Sequence, residues 1–189
     1  VKLPGFSRDG AAARNRAMEL LKEAGAEKLS LKLVNRAVGE PFTSIGVYVI
    51  DQWRRIGITT EHQQVESKAY FAALAEGKFQ VAVYPPADPA DDPNTQFAYY
   101  LSNKLSPLSF SRHSDSQIDA LFEAQSRATD TASRLKIVND LDRLIITQSY
   151  NVPIMWYERI IAYNRRMKGW HMTPSNFLGQ DLADVWLAE

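Results

Sequence analysis

Apolar and polar positions follow two different rhythms along the first 84 residues. From residue 10 to 24, Ala13, Ala17, Leu20, Leu21 and Ala24 recur at helical spacing, Asp9 stands where a cap belongs, and Gly25 follows as a stop. Leu29, Leu31 and Leu33 then alternate with Ser30 and Lys32, which is the period of a strand. After Pro41 the helical spacing returns in Phe42, Ile45, Val49, Trp53 and Ile56, ended by Gly57. A weaker strand is predicted over Ile58 to Gln63, and a short helix over Lys68 to Glu76, closed by Gly77. In Phe79 to Tyr84 nearly every position is apolar or aromatic, which predicts a strand buried on both faces in the middle of a parallel sheet. Helix and strand thus alternate three times, the order expected of α/β layering.

That rhythm breaks at Pro85. The loop Pro85 to Asn94 carries prolines at 85, 86, 89 and 93 and aspartates at 88, 91 and 92. Proline has no backbone donor and fixes its own φ, so the ladder must end here. A stiff acidic loop at the carboxyl end of a central strand lies where open α/β sheets bind ligands. Beyond it, Asn94 to Leu101 predicts one or two helical turns, and Ser102 to His113 is polar and loop-like. Ser114 and Gln117 have capping-box spacing ahead of Ile118, Leu121, Phe122 and Gln125. A longer helix follows Asp130, with Leu135, Ile137, Val138, Leu141, Leu144 and Ile145 apolar, and the two helices should form a hairpin. Val152 to Trp156 and Ile160 to Tyr163 read as strand or extended chain.

Composition narrows the function. Lys+Arg and Asp+Glu balance at 22 each over 189 residues, so there is no basic field to attract nucleic acid or anionic lipid. No apolar run approaches the roughly 20 residues of a membrane helix. The absence of cysteine excludes disulfides and thiol chemistry. Val1 is not followed by a charged-then-apolar leader, so no targeting signal is expected within the chain, and its start suggests a processed or excised piece.

Asp88, Asp91 and Asp92 are dense enough to face a cation such as an ammonium group. The plainer alternative is that Asp-Pro pairs make turns and that Asp92, before Pro93, opens a helix. A calcium loop would need the glycine and distal glutamate of an EF-hand, which are missing. His62, His113 and His171 share no metal-ligand spacing, and no metal site or cofactor is expected. Serines flank His113, yet no Gly-x-Ser-x-Gly elbow, Gly-x-Gly-x-x-Gly turn or phosphate loop occurs, so no catalytic residue is assigned. Among the aromatics, Trp53 belongs to a helix stripe and reads as core. Tyr84 at the mouth of the proline loop, and Tyr157 after Trp156, are candidates to line a pocket that excludes water.

The order of several short motifs adds a family resemblance across essentially the whole chain. They are Ala11–Gly25, Gln52-Trp53-Arg54-Arg55-Ile56-Gly57-Ile58, Gly77-Lys78-Phe79 and Asp92-Pro93, then Ile118-Asp119-Ala120-Leu121, Arg134 and Val152-Pro153-Ile154. The closing Lys168-Gly169-Trp170, Pro174-Ser175, Gln180-Asp181-Leu182 and Val185-Trp186-Leu187 continue the series. Together they resemble the C-terminal portion of the family 5 extracellular solute-binding proteins, which serve peptide, dipeptide, opine and nickel ABC importers.

The resemblance implies a lobe of the type II periplasmic-binding-protein kind, a layered sheet with flanking helices. Residues 1–151 would be the solute-binding lobe of a bilobed protein, and 152–189 a segment that returns to the other lobe. It further implies a periplasmic or extracellular place, lipid-anchored in relatives, and a membrane-embedded ABC permease as partner. In peptide-binding relatives an aspartate three places before the Asp-Pro pair meets the peptide ammonium. Here Pro89 holds that position and Asp88 is its neighbour; together with the loop and ring readings above, the expected ligand-binding set is Tyr84, Asp88, Asp92 and Tyr157. Relatives that take other solutes lack that carboxylate. The expected ligand is a small solute, peptide-like or cationic.

A terminal segment without its sheet partners could instead pair with a second copy of the chain. An interaction module without a small ligand is the second reading. An enzyme using Asp88 and Asp92 as paired carboxylates is a distant third, because loop neighbours on a rigid turn leave no sugar-sized gap.

Overall fold

Asp9 opens the first helix by accepting hydrogen bonds from the N–H groups of Ala11 and Ala12, both at 3.0 Å. This helix, α1 (Gly10–Glu23), ends before Gly25, whose φ of 65° lies in the left-handed region open to glycine. The computed structural model describes residues 9–86, 90, 92–155, 158, 160–173 and 181–189. The chain divides into two compact units, Val1–Pro85 and Pro86–Glu189.

In the first unit the predicted alternation continues as β1 (Ser30–Arg36), α2 (Phe42–Arg54), β2 (Thr59–Val65), α3 (Ser67–Glu76) and β3 (Val81–Ala82). Among the described residues the sheet runs in the order β2-β1-β3, with β1 parallel to both neighbours. Leu33 sits opposite His62 on one side and Val81 on the other. Leu33, Ile45 and Val83 form the buried core, and Val49, Trp53 and Val81 pack against it, so Trp53 is a core residue as its helix stripe predicts. The flanking helices and parallel sheet are the α/β layering expected. The apolar stripe of α1 is a different matter: none of its residues is buried among the described residues.

One expectation is corrected. Among the described residues the Phe79–Tyr84 stretch is not the middle of the sheet; β1 is, and β3 is a two-residue edge strand. The ladder with β1 starts late because the side-chain oxygen of Gln80 takes the N–H of Lys32 at 2.7 Å, a place a backbone carbonyl would fill in a longer ladder. Pairing resumes at Val81, and the N–H of Val83 reaches the carbonyl of Val34 at 3.2 Å.

A close approach fixes α2 against the sheet. Asn35, fully buried on β1, donates through Nδ2 to the carbonyl of Phe42 at 2.6 Å and lies 3.1 Å from His62 Nε2. Its Oδ1 accepts from the N–H of Arg36 at 2.9 Å, so the amide can point only one way and His62 Nε2 must be the acceptor. Gly46 leaves the space this cluster occupies. A Cβ there would fall 2.5 Å from His62 Nε2 and 2.6 Å from Asn35 Nδ2.

In the second unit, Asp92 caps α4 (Pro93–Phe97), and α5 (Ser116–Arg127) and α6 (Thr131–Gln148) form the expected hairpin. Phe97, Leu101, Ile118, Leu141 and Ile145 make its core. The cap of α5 is Asp115, not Ser114: its carboxylate accepts from the N–H groups of Gln117 and Ile118 at 2.9 and 3.2 Å. An acceptor held one residue nearer the helix meets both free donors. Asp130 caps α6 through the N–H of Ser133 at 2.8 Å.

The polar stretch 102–113 folds back with Ser102, Ser106 and Ser109 buried. Asp119 accepts from the N–H of Ser102 at 3.0 Å, and Ser111 Oγ lies 2.7 Å from His113 Nδ1, with the His113 ring stacked on Tyr150. Residues 152–155 and 160–163 form no strand, and Trp156 lies outside the described residues. Two short strands that the periodicity does not reveal, β4 (Met167–Lys168) and β5 (Trp186–Leu187), pair antiparallel.

Candidate functional site

In a parallel sheet all strands finish on the same edge, so β1, β2 and β3 bring Arg36, Val65 and Ala82 to one side. The first residue of α3, Ser67, and the chain after β3, Val83 and Tyr84, follow there. Tyr70, on α3 and fully buried, donates its hydroxyl to the carbonyl of Val83, fixing the chain one residue before Tyr84. Burial pushes the Tyr70 phenol up, the neighbouring Tyr84 adds to that, and Arg36 opposes it. The phenol is therefore a donor at every physiological pH. Tyr84 itself is half-buried.

Arg36 closes β1 and is held on three sides. Its guanidinium lies 5.6 Å from the Phe42 ring centroid and 5.4 Å from that of Phe71, and its Nε donates to Ser67 Oγ at 2.8 Å. Tyr70 stands edge-on to both rings, at 6.2 and 5.1 Å between centroids. The result is a cation seated on aromatic faces at the carboxyl-terminal edge of the sheet.

Replacing Tyr70 by phenylalanine keeps the rings but strands a buried carbonyl. The expected loss is about 1–2 kcal/mol of unfolding free energy, the usual penalty for an unmatched buried polar group. Urea unfolding of Tyr70→Phe measures it, and a midpoint unchanged from wild type would show that the hydroxyl does not secure the exit of β3.

In the second unit Asp92 meets the helices. The Asp92 carboxylate accepts from the N–H of Asn94 at 2.8 Å and from Arg134, whose NH2 approaches Oδ1 at 3.1 Å and Oδ2 at 3.3 Å. Arg134 foremost, then the Asn94 N–H, hold the Asp92 carboxyl below its usual range. Arg134 Nε also donates to Gln125 Oε1 at 3.1 Å, and the fully buried Gln125 donates from Nε2 to Asn94 Oδ1. Three side-chain links and the Asn94 backbone N–H close a ring of four residues that ties α4, α5 and α6 together. The helix-opening reading of Asp92 is the one this geometry matches.

Of the residues singled out from sequence, Tyr84 belongs to the first unit and Asp92 to the second. Asp88, Asp91 and Tyr157 lie outside the described residues. Arg36 and Ser67 carry no motif and were not singled out. No group of three metal-ligating side chains occurs among the described residues, and none of their helices is long and apolar enough to cross a membrane.

The model of the bacterial extracellular solute-binding proteins, family 5 (middle region), matches residues 3–106, more than half of the 189 residues. The chain belongs to this family. Among solved structures it is similar to the ABC transporter substrate-binding protein CtaP of Listeria monocytogenes. There the TM-score is 0.82 and the identity 23%, over 100% of this chain and 38% of that one. The periplasmic binding protein DppA of Helicobacter pylori, in complex with the peptide STSA, gives a TM-score of 0.80 at 20% identity, over 93% of this chain and 34% of that one. The dipeptide binding protein of Pseudoalteromonas sp. SM9913, in complex with Met-Leu, gives 0.78 at 19% identity, over 92% and 35%. The family 5 chain thus spans about a third of the length of these structures, and the likeness establishes the shared fold. No curated protein matches it.

Proposed function

We propose that this chain is part of the substrate-binding component of an ABC importer, forming one wall of the cleft for a peptide or another small solute. Family membership over residues 3–106 is the observation that carries this reading. In it, residues 1–151 act as the solute-binding lobe and 152–189 rejoin the other lobe of a bilobed protein. The protein binds its solute in the periplasm or outside the cell and hands it, chemically unchanged, to a membrane-embedded permease. Closure of two lobes over a solute follows from the contacts the solute makes only in the closed state.

Asp88 is the acidic-loop residue proposed to meet a cationic group of the solute, with Tyr84 and Tyr157 lining the pocket. Asp92 lends its charge from beside Arg134, its carboxylate being already engaged. Native mass spectrometry of the protein purified from cells should show a retained solute, and calorimetry with that solute tests the loop. Asp88→Ala should weaken binding at least about tenfold, a loss of about 1.4 kcal/mol. Affinities within about twofold of wild type for both Asp88→Ala and Asp92→Ala would remove the loop from the site.

Ile160, 91% exposed, and Trp186, 59% exposed, favour a covering partner for the terminal segment. In the bilobed protein that partner is the other lobe. For the 189-residue chain alone it is a second copy, which light scattering would register as a dimer; a monomer would exclude that exchange. An interaction module without a solute is the competing reading, and a protein that retains no small molecule under native conditions would favour it.

A further inference from the structure

We infer that two copies of this chain pair through the outer edge of β2, antiparallel and centred on His62, so that one sheet continues into the next. The inference stands apart from the solute-binding reading and from exchange of the terminal segment. The two edges of the sheet differ. β3 is two residues long and leads through Val83 and Tyr84 into Pro85 and Pro86, which offer a further strand no donor. β2 pairs with β1 over all seven of its residues and, among the described residues, has no strand on its other side. It contains no proline, and its one carboxylate, Glu61, lies 3.8 Å from Lys32 of β1. The usual devices that blunt an edge are missing from it. Thr59 donates its N–H to the carbonyl of Leu29, and Val65 accepts from the N–H of Ala37. The odd-numbered residues therefore turn their backbone groups to β1, and Thr60, His62 and Gln64 turn theirs outward.

Side chains choose the register. Centred on His62, two copies of β2 overlap along their whole length, with Thr60 facing Gln64 and Glu61 facing Gln63. His62 lies against Asn35 and Gly46, on the α2 side, so Glu61 and Gln63 occupy the opposite face. They form non-hydrogen-bonded pairs, whose Cα atoms stand about 4.5 Å apart, and each pair sets a carboxylate against a carboxamide. A slide of two residues shortens the ladder, and in one direction it sets Glu61 against Glu61.

The helices agree. α2 packs on both β1 and β2, and Gln64 Nε2 donates to Thr43 Oγ1 at 3.0 Å, so the helix lies above the gap between the two strands. The α2 of the second copy then stands about two strand spacings away, roughly 10 Å, where helices pack side by side. Val47, one turn beyond Thr43 on that flank, and its neighbour Tyr48 are 56% and 54% exposed. Pairing covers apolar surface that a lone copy presents to water.

Because the chain has no cysteine, disulfide trapping reads the register directly. The double variant Glu61→Cys, Gln63→Cys should become a covalent dimer on mild oxidation, since facing positions lie within disulfide reach. Neither single variant should, because its two cysteines are diagonal neighbours about 7–8 Å apart. Light scattering of the wild-type chain should show a dimer. Gln63→Glu, which sets like charges opposite each other twice, should weaken it at least about tenfold. Gln63→Lys should tighten it, and Val47→Lys should weaken it. A monomeric wild type overturns the inference, as does a double variant that stays monomeric or single variants that link equally well. A dimer indifferent to Gln63→Glu and Val47→Lys overturns it in favour of pairing through the terminal segment. Should the double variant fail to fold, these exposed or half-exposed substitutions still decide.

Discussion

Gly46→Ala should destabilise the first unit by about 3 kcal/mol, combining overpacking with the loss of a buried hydrogen bond. Helix propensity alone gives the opposite sign, since alanine in a helix interior is favoured over glycine by about 1 kcal/mol. The difference comes from what the new methyl would meet, His62 Nε2 at 2.5 Å and Asn35 Nδ2 at 2.6 Å. Asn35 cannot step aside cheaply. It is fully buried, and its amide already serves the carbonyl of Phe42 and the N–H of Arg36. Any displacement would therefore disturb β1 at the residue next to Arg36. Urea unfolding gives the free energy. Gly39→Ala, with nothing within 4 Å of its added methyl, is the control and should stay within about 0.5 kcal/mol of wild type. Equal midpoints for the two variants would mean that the Asn35–His62 pair swings away without cost.

How much of this could be read from the chain depends on whether the signal was local. The caps at Asp9, Asp92 and Asp130, and the left-handed glycines at 25, 57 and 77, act over three or four residues and are visible as such. Helical spacing located α2, α3, α5 and α6, and alternation located β1. The edge position of β3 was hidden, because an apolar run looks the same in the centre of a sheet and at its rim. The strand order reveals the edge position, and the contact of Gln80 with Lys32, across 48 residues, shows where the ladder begins. The same limit applies to the site. Asp92 is conspicuous beside its prolines, but its partner Arg134 lies 42 residues further on, and spacing gives no reason to join them. Gln125 offered a hint, a polar side chain on the apolar face with Ile118, Leu121 and Phe122. Arg36 offered less, since its aromatic seat is assembled from α2 and α3.

Gln125→Leu should cost the second unit about 2–3 kcal/mol despite keeping the volume of a fully buried side chain. The substitution removes the acceptor of Arg134 Nε and the donor to Asn94, so it opens the ring at two corners at once. Acid should open the same ring from Asp92. The Asp92 carboxyl is held below its usual range by Arg134 and the Asn94 N–H, and Asp130 is held low by the N–H and hydroxyl of Ser133.

For a carboxyl with a lowered folded-state value, the stability it contributes is complete above the unfolded-state value, about 3.9 for aspartate, and is lost as pH falls through the folded value. The helical unit should accordingly hold its stability down to roughly pH 4 and lose it below. In Arg134→Met the part of that loss due to Asp92 should shrink, leaving the Asp130 part. Unfolding of the wild type and the two variants at a series of pH values from 7 to 2.5 tests both statements. A Gln125→Leu protein as stable as wild type, or an acid slope unchanged by Arg134→Met, would mean that α4, α5 and α6 are joined by their apolar core alone. Asp92 would then be free to turn toward a solute.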